Sequence, residues 1–199
     1  MVIVMASSTL LPLAAQAQAT DAPWLVRLRA VDFQSANKDS TGLDLTINDK
    51  VIPGVDISYF LTPQIAVELV LTYPQKQTIR SNGTDIGSLK HLPPTLTAQY
   101  HFTSFGAFKP YVGAGLNYTR FSSVRFDPAV QTALQPSLSK NSVGLVVQVG
   151  FDYEFIKNTY FNVDAKKVQI RTDVSSAGTE VGTFKVDPWL IGVGIGCRF

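Results

Sequence analysis

The last eleven residues, Trp189–Phe199, read WLIGVGIGCRF and constrain the fold more than any other stretch. Trp189, Ile191, Val193, Ile195, Cys197 and Phe199 fall on one face of an extended chain, and Leu190, Gly192, Gly194, Gly196 and Arg198 on the other. A period of two this strict means a strand with two unlike faces. A soluble sheet turns its apolar face to a core and a polar face to water. Here the second face is mostly glycine with one charge, which suits a narrow lumen. An aromatic C-terminus on such a strand points to a bacterial outer-membrane β-barrel. The competing reading is an inner strand of a soluble sandwich or lipocalin-like barrel, and the rest of the chain decides between them.

The chain has 199 residues, enough for one all-β domain. Its net charge of +2 argues against a nucleic-acid partner, which needs a concentrated basic surface. Beyond the N-terminal region no apolar run reaches the length of a membrane helix, whereas alternation in a barrel keeps mean hydropathy low. Residues 1–19, MVIVMASSTLLPLAAQAQA, have the apolar stretch and Ala-x-Ala sites of a secretory signal peptide. No Lys or Arg precedes that stretch, so its start reads as truncated, and residues 20–199 are expected to form the barrel. The lone Cys197 excludes an intramolecular disulfide and falls on the lipid-facing parity.

Period-two segments follow at Trp24–Phe33, Ile52–Leu61, Gln64–Tyr73, Leu92–Phe102, Lys109–Phe121, Ser142–Phe155, Thr159–Arg171 and Phe184–Phe199. The connections between them alternate long and short. That pattern predicts an eight-stranded antiparallel transmembrane β-barrel with long extracellular loops and short periplasmic turns. Trp24, Tyr59, Tyr100, Phe102, Tyr153, Phe155 and Phe199 share outward parity near the short turns and read as one aromatic girdle. Tyr73, Tyr118 and Trp189 read as the other. Asn82-Gly83-Thr84 is a turn signal in the second long loop.

Three stretches go further: VDISYFLTPQIAVELVLTYP at Val55–Pro74, LPPTLTAQYHF at Leu92–Phe102 with KPYVGAGLNYTRF at Lys109–Phe121, and DPWLIGVGIGCRF at Asp187–Phe199. Together they resemble the outer-membrane protein W (OmpW) family, which includes porins for hydrophobic molecules, over nearly the whole mature chain. The family usually carries an aromatic where Cys197 stands. The resemblance implies an eight-stranded barrel in the bacterial outer membrane that passes small hydrophobic solutes by a passive route opening sideways into the bilayer. The partners it implies are outer-membrane lipids and lipopolysaccharide, those solutes, and the barrel-assembly machinery.

Parity also predicts the lumen. Toward the short turns the inward residues include Arg27, Arg29, Asp56, Ser58, Glu68, Gln99, His101, Asp152, Glu154, Asp164, Lys166 and Arg198. Toward the long loops they include Val31, Phe33, Val70, Val146, Val168, Ile170, Pro188 and Leu190. An eight-stranded bore is only just wide enough for its own side chains. The lower charges are therefore expected to pair into a plug, since an unpaired buried ion costs several kcal/mol. The upper apolar set, Val31, Phe33, Val70, Val146, Val168, Ile170 and Leu190, is the expected solute pocket. Pro53 and Pro93-Pro94 are expected at the loop ends of adjacent strands, where missing donors terminate pairing or weaken a seam.

No catalytic constellation assembles. His91 is expected in a loop and His101 in the lumen, without metal-ligand spacing. Asp152 and Glu154 share a face, but pairing with lumenal cations is the better reading than a carboxylate dyad. Neither enzyme activity nor any cofactor or metal is expected. Against passive uptake stands a structural or receptor-type barrel whose extracellular loops bind a partner. A receptor needs no apolar pocket.

Overall fold

The computed structural model describes residues 22–199, so the expected signal segment lies outside the described residues. In chain order the elements are β1 (Trp24–Gln34), β2 (Lys38–Asp39), β3 (Leu45–Ile47), β4 (Lys50–Phe60), β5 (Ile65–Thr72), β6 (Gln75–Ser81), β7 (Thr84–Leu92) and β8 (Thr95–His101). They continue with β9 (Phe108–Phe126), α1 (Pro128–Leu134), β10 (Pro136–Leu138), β11 (Asn141–Ile156), β12 (Thr159–Val168), β13 (Arg171–Ser176), β14 (Thr179–Lys185) and β15 (Trp189–Arg198).

Eight strands close into an antiparallel barrel in the order β1-β4-β5-β8-β9-β11-β12-β15, with β15 pairing back onto β1. Closure follows from the sequence, because a strand apolar on its lipid face and crowded on its lumenal face has no place at an open edge. The apolar parity faces out: Leu28, Leu116, Val147 and Val193 are exposed, as is Cys197. Every aromatic assigned to the two girdles is exposed as well. Trp24 packs edge-to-face on Tyr59 at 4.8 Å, and Tyr118 donates to Asn141 Oδ1 at 2.9 Å.

The long connections are not plain loops. Thr159–Arg171 was expected as one strand, but it breaks after Val168, and Phe184–Phe199 breaks between Lys185 and Trp189. The freed segments build a cap. In it β6 and β7 form a hairpin whose turn, Asn82 and Gly83 at φ of 47° and 76°, takes the left-handed geometry that Asn-Gly favours. This hairpin pairs with β3 on one side and with the upper half of β9 on the other. A separate sheet runs β10-β13-β14-β2. Leu45, Ile47, Ile79, Leu89 and Phe121 from the first sheet share one apolar core with Val174 and Phe184 from the second. His91, expected in a loop, is therefore a buried β7 residue, with its ring 5.3 Å from Phe33 and 6.5 Å from Phe121.

Candidate functional site

The lower lumen is an ion cluster reached from both walls. Arg27 and Arg29 project inward from β1 and cross the bore. Arg27 donates to Asp152 on β11 at 2.6 and 3.0 Å, to Ser58 Oγ at 2.8 Å and to Glu68 on β5 at 3.1 Å. Arg29 bridges Asp56 on β4 and Asp164 on β12. Lys166 pairs with Asp164 and lies 3.4 Å from Glu68 and 3.8 Å from Asp56. All seven are buried, so three cations face four carboxylates away from bulk water.

Side chains this long need room beside them as they turn into the bore, and glycine on the adjacent strand β15 supplies it. A Cβ at Gly192 would collide with the Arg29 guanidinium, one at Gly194 would come within 2.7 Å of Arg29 Cγ, and one at Gly196 within 2.8 Å of Arg27 Cγ. The glycine face of the C-terminal strand is thus the surface against which two arginines lie.

Two expected members lie elsewhere. Glu154 takes its hydrogen bond from Lys109 at 2.9 Å at the partly exposed periplasmic rim. Arg198 stacks its guanidinium 4.0 Å from the centre of the Phe60 ring and donates to the Ala22 carbonyl at 2.7 Å. Parity gives a residue's face but not its height, and both sit within the last residues of their strands. Conversely, Tyr111 and Asn162 are fully buried members that parity on β9 and β12 could have supplied. Asn162 Nδ2 donates to Asp152 at 2.9 Å and to the Tyr111 hydroxyl at 3.1 Å. His101 stacks on Tyr111 at 4.7 Å.

Above the ions the wall turns apolar. Phe33, Val146, Val168 and Ile170 form one cluster with Leu190 packed against it, and that cluster is continuous with the cap core. Val31 and Val70 are buried a step lower, Val70 level with Asp56 and Val31 one inward position above Arg29. Sequence reasoning missed the cap's share: Leu45, Ile47, Ile79, Leu89, Phe121, Val174 and Phe184. Short period-two patterns at Leu43–Ile47 and Gln75–Ile79 carried the signal. The cap core retains only a narrow cavity of about 40 Å³.

The side wall is interrupted between β5 and β8. β5 and β8 pair up to Val70 opposite Thr95, and pairing resumes only at Gln75 opposite His91 in the β6–β7 hairpin. Between lie Leu71–Pro74 and Leu92–Pro94, and Pro93 and Pro94 have no N–H to give a ladder. Thr72 Oγ1, the Gln77 amide and His91 Nε2 beside this gap lack hydrogen-bond partners. Next to this gap, a groove of about 260 Å³ lies on the lipid side over the top of the β8–β9 pair, lined by Leu69, Pro94, Leu96, Leu116 and Tyr118 and reaching the buried Thr95 and Asn117. Pro53 was expected on a strand adjacent to the Pro93-Pro94 strand. It lies instead on β4, opposite Ala30 of β1, with β5 between it and β8, because the intervening strand separates them in barrel order.

Known proteins agree with this geometry. Residues 26–199 match the OmpW family. The outer-membrane protein y4mB of Sinorhizobium fredii is 41% identical over 187 residues, covering 89% of this chain and 80% of that protein. Outer membrane protein W of Escherichia coli is 34% identical over 164 residues, covering 79% and 76% respectively. Among solved structures, the outer-membrane protein OprG of Pseudomonas aeruginosa superposes with a TM-score of 0.74 at 26% identity, covering 89% of this chain and 96% of that one.

Proposed function

We propose that this chain, which belongs to the OmpW family of bacterial outer-membrane barrels, takes up small hydrophobic molecules passively through its upper lumen and releases them sideways into the bilayer. One juxtaposition carries the reading: an apolar upper lumen lies over a lower lumen filled by paired ions, and the wall is broken at Pro93-Pro94. A solute that shed roughly 200 Å² of apolar surface would gain on the order of 5 kcal/mol before entropic costs, enough for weak, reversible capture. Downward passage is opposed by ions that would lose their partners. The gap between β5 and β8 offers a shorter way, opening beside a groove already greasy on its lipid side.

The cap governs admission. Its cavity of about 40 Å³ is too small for an organic solute, so the two cap sheets must part or their side chains give way. The test is uptake of a small hydrophobic compound by intact cells at matched levels of folded protein. Phe33→Asp and Leu190→Asp place a carboxylate where the solute would be desolvated, and both should slow uptake while the barrel still assembles. Transport at the wild-type rate by both variants would show that solutes avoid this pocket.

A further inference from the structure

The outward face of the cap hairpin carries a cluster of cations that no part of the uptake route uses. By register, Lys76 on β6 lies directly opposite Lys90 on β7, and Lys90 opposite Ser122 on β9. One step higher, Thr78 lies opposite Ser88 and Ser88 opposite Arg125, while one step lower Leu92 lies opposite Arg120. Lys76, Lys90, Arg120 and Arg125 are all exposed, and among the described residues none of the four makes an ion pair. The hairpin's own carboxylate, Asp85, is engaged by Arg80 at 2.7 Å. Like charges set directly opposite on neighbouring strands destabilise a sheet. This arrangement therefore weakens the hairpin unless an anion lies across it.

The backbone is shaped to place one of these cations. Strict alternation from Arg120 and Ser122 would send Val124 outward and Arg125 into the cap core. A bulge opposite Leu89, with Ser123 at a φ of 49°, inverts the parity. Val124 and Phe126 then pack on the apolar core, and Arg125 emerges beside Ser88. The result is a recess of about 240 Å³ lined by Lys76, Ser88, Lys90, Ser123 and Arg125, three cations and two hydroxyls with no carboxylate. Such a lining donates hydrogen bonds toward an anion with several acceptor oxygens.

Height identifies the source of that anion. Tyr118 marks the upper edge of the lipid-facing band, Arg120 stands two residues beyond it, and Ser122, level with Lys90, four. At about 3.3 Å per residue and a tilt near 40°, Arg120 lies roughly 5 Å above the hydrocarbon edge, Lys76 and Lys90 roughly 10 Å and Arg125 roughly 15 Å, so the cluster rises from the headgroup layer of the outer leaflet and the recess sits at its outer side. We infer that the Lys76–Lys90–Arg125 recess binds a phosphate group of the lipid A headgroup of lipopolysaccharide. The site anchors the β6–β7 hairpin to the leaflet, independently of whether solutes pass the lumen.

The test titrates purified, refolded protein in detergent micelles with fluorescent lipid A, either bisphosphorylated or stripped of phosphate, against the triple variant Lys76→Gln/Lys90→Gln/Arg125→Gln. Heat-modifiable gel migration confirms folding, Lys90→Gln alone serves if the triple variant does not fold, and Arg80→Gln is the control on the same hairpin. The wild type and the control should prefer the bisphosphorylated form by about tenfold, a preference lost in the triple variant and weakened by added salt. Millimolar inorganic phosphate should not displace the lipid. Equal binding of the two lipid forms by the wild type, or an unchanged preference in the variants, would overturn the proposal. Displacement by inorganic phosphate would overturn it too, by making the recess a site for free anions.

Discussion

Substituting the two ends of one lumenal ion pair should give unequal results, because three buried cations face four buried carboxylates. Arg27→Met removes the group that holds Asp152 at 2.6 and 3.0 Å and Glu68 at 3.1 Å. Asp152 keeps only Asn162 at 2.9 Å and the ring of His101 at 4.0 Å, while Glu68 keeps Lys166 at 3.4 Å. Removing one partner of a buried pair costs about 3–5 kcal/mol, and here two carboxylates are stranded at once. Glu68→Gln instead leaves an amide oxygen that still accepts from Arg27 and reduces four negative charges to three. Its cost should be about 1 kcal/mol or less. Urea unfolding in detergent micelles reads the difference: with a slope of about 2 kcal/mol per molar, Arg27→Met lowers the midpoint by roughly 1.5–2.5 M and Glu68→Gln by less than about 0.5 M. A Glu68→Gln variant as unstable as Arg27→Met would refute the reasoning, since it would mean that the cluster needs every negative charge.

Gly192→Val should destabilise the barrel by about 2 kcal/mol in the same unfolding assay, because any side chain there displaces the Arg29 guanidinium from Asp56 and Asp164. The cap should be acid-sensitive through His91, which stands above the upper girdle. Burial first, and Lys50 second, push its pKa from 6.5 down to about 4. Folding therefore favours the neutral ring. An unfolded cap takes up the proton near pH 6.5 and a folded one only near 4, so stability is lost as pH falls through that window, by at most about 3 kcal/mol. Hydrogen exchange of the β6–β7 amides at pH 7 and pH 4.5 checks this, and His91→Phe should flatten the difference.

The membrane-spanning wall was legible because lipid and lumen impose opposite demands on alternate residues, so parity alone assigned every girdle aromatic and most lumenal charges. The cap was less legible for the same reason. Its strands face water on one side and a half-polar interior on the other, with Gln75 and Gln77 sharing the inward face of β6 with Ile79. Alternation there is diluted until it resembles loop composition. Proline and bulge positions break the period where it would have been most useful. Strict parity from Tyr118 places Arg125 inside the core, and only the extra residue at Ser123 brings it out.

The glycine face of the terminal strand bears on the proposed transport as well as on folding. An eight-stranded bore has a nearly fixed interior volume, so long side chains from one strand require small residues where they lie. Arg27 and Arg29 on β1 lie against Gly192, Gly194 and Gly196 on its neighbour β15 and reach across to β11 and β12. These cross-braces tie opposite walls together in the lower half, where opening would strand several ions at once. Among the described residues no such brace spans the upper half: what holds it is apolar packing, and its hairpin pairs with β3 and β9. Apolar packing is non-directional and can be exchanged for contacts with an apolar guest at little cost, whereas a buried ion pair cannot. On the proposed uptake route, the motion that admits a hydrophobic solute therefore belongs to the cap and the proline-broken wall beneath it, while the ion-braced half stays shut.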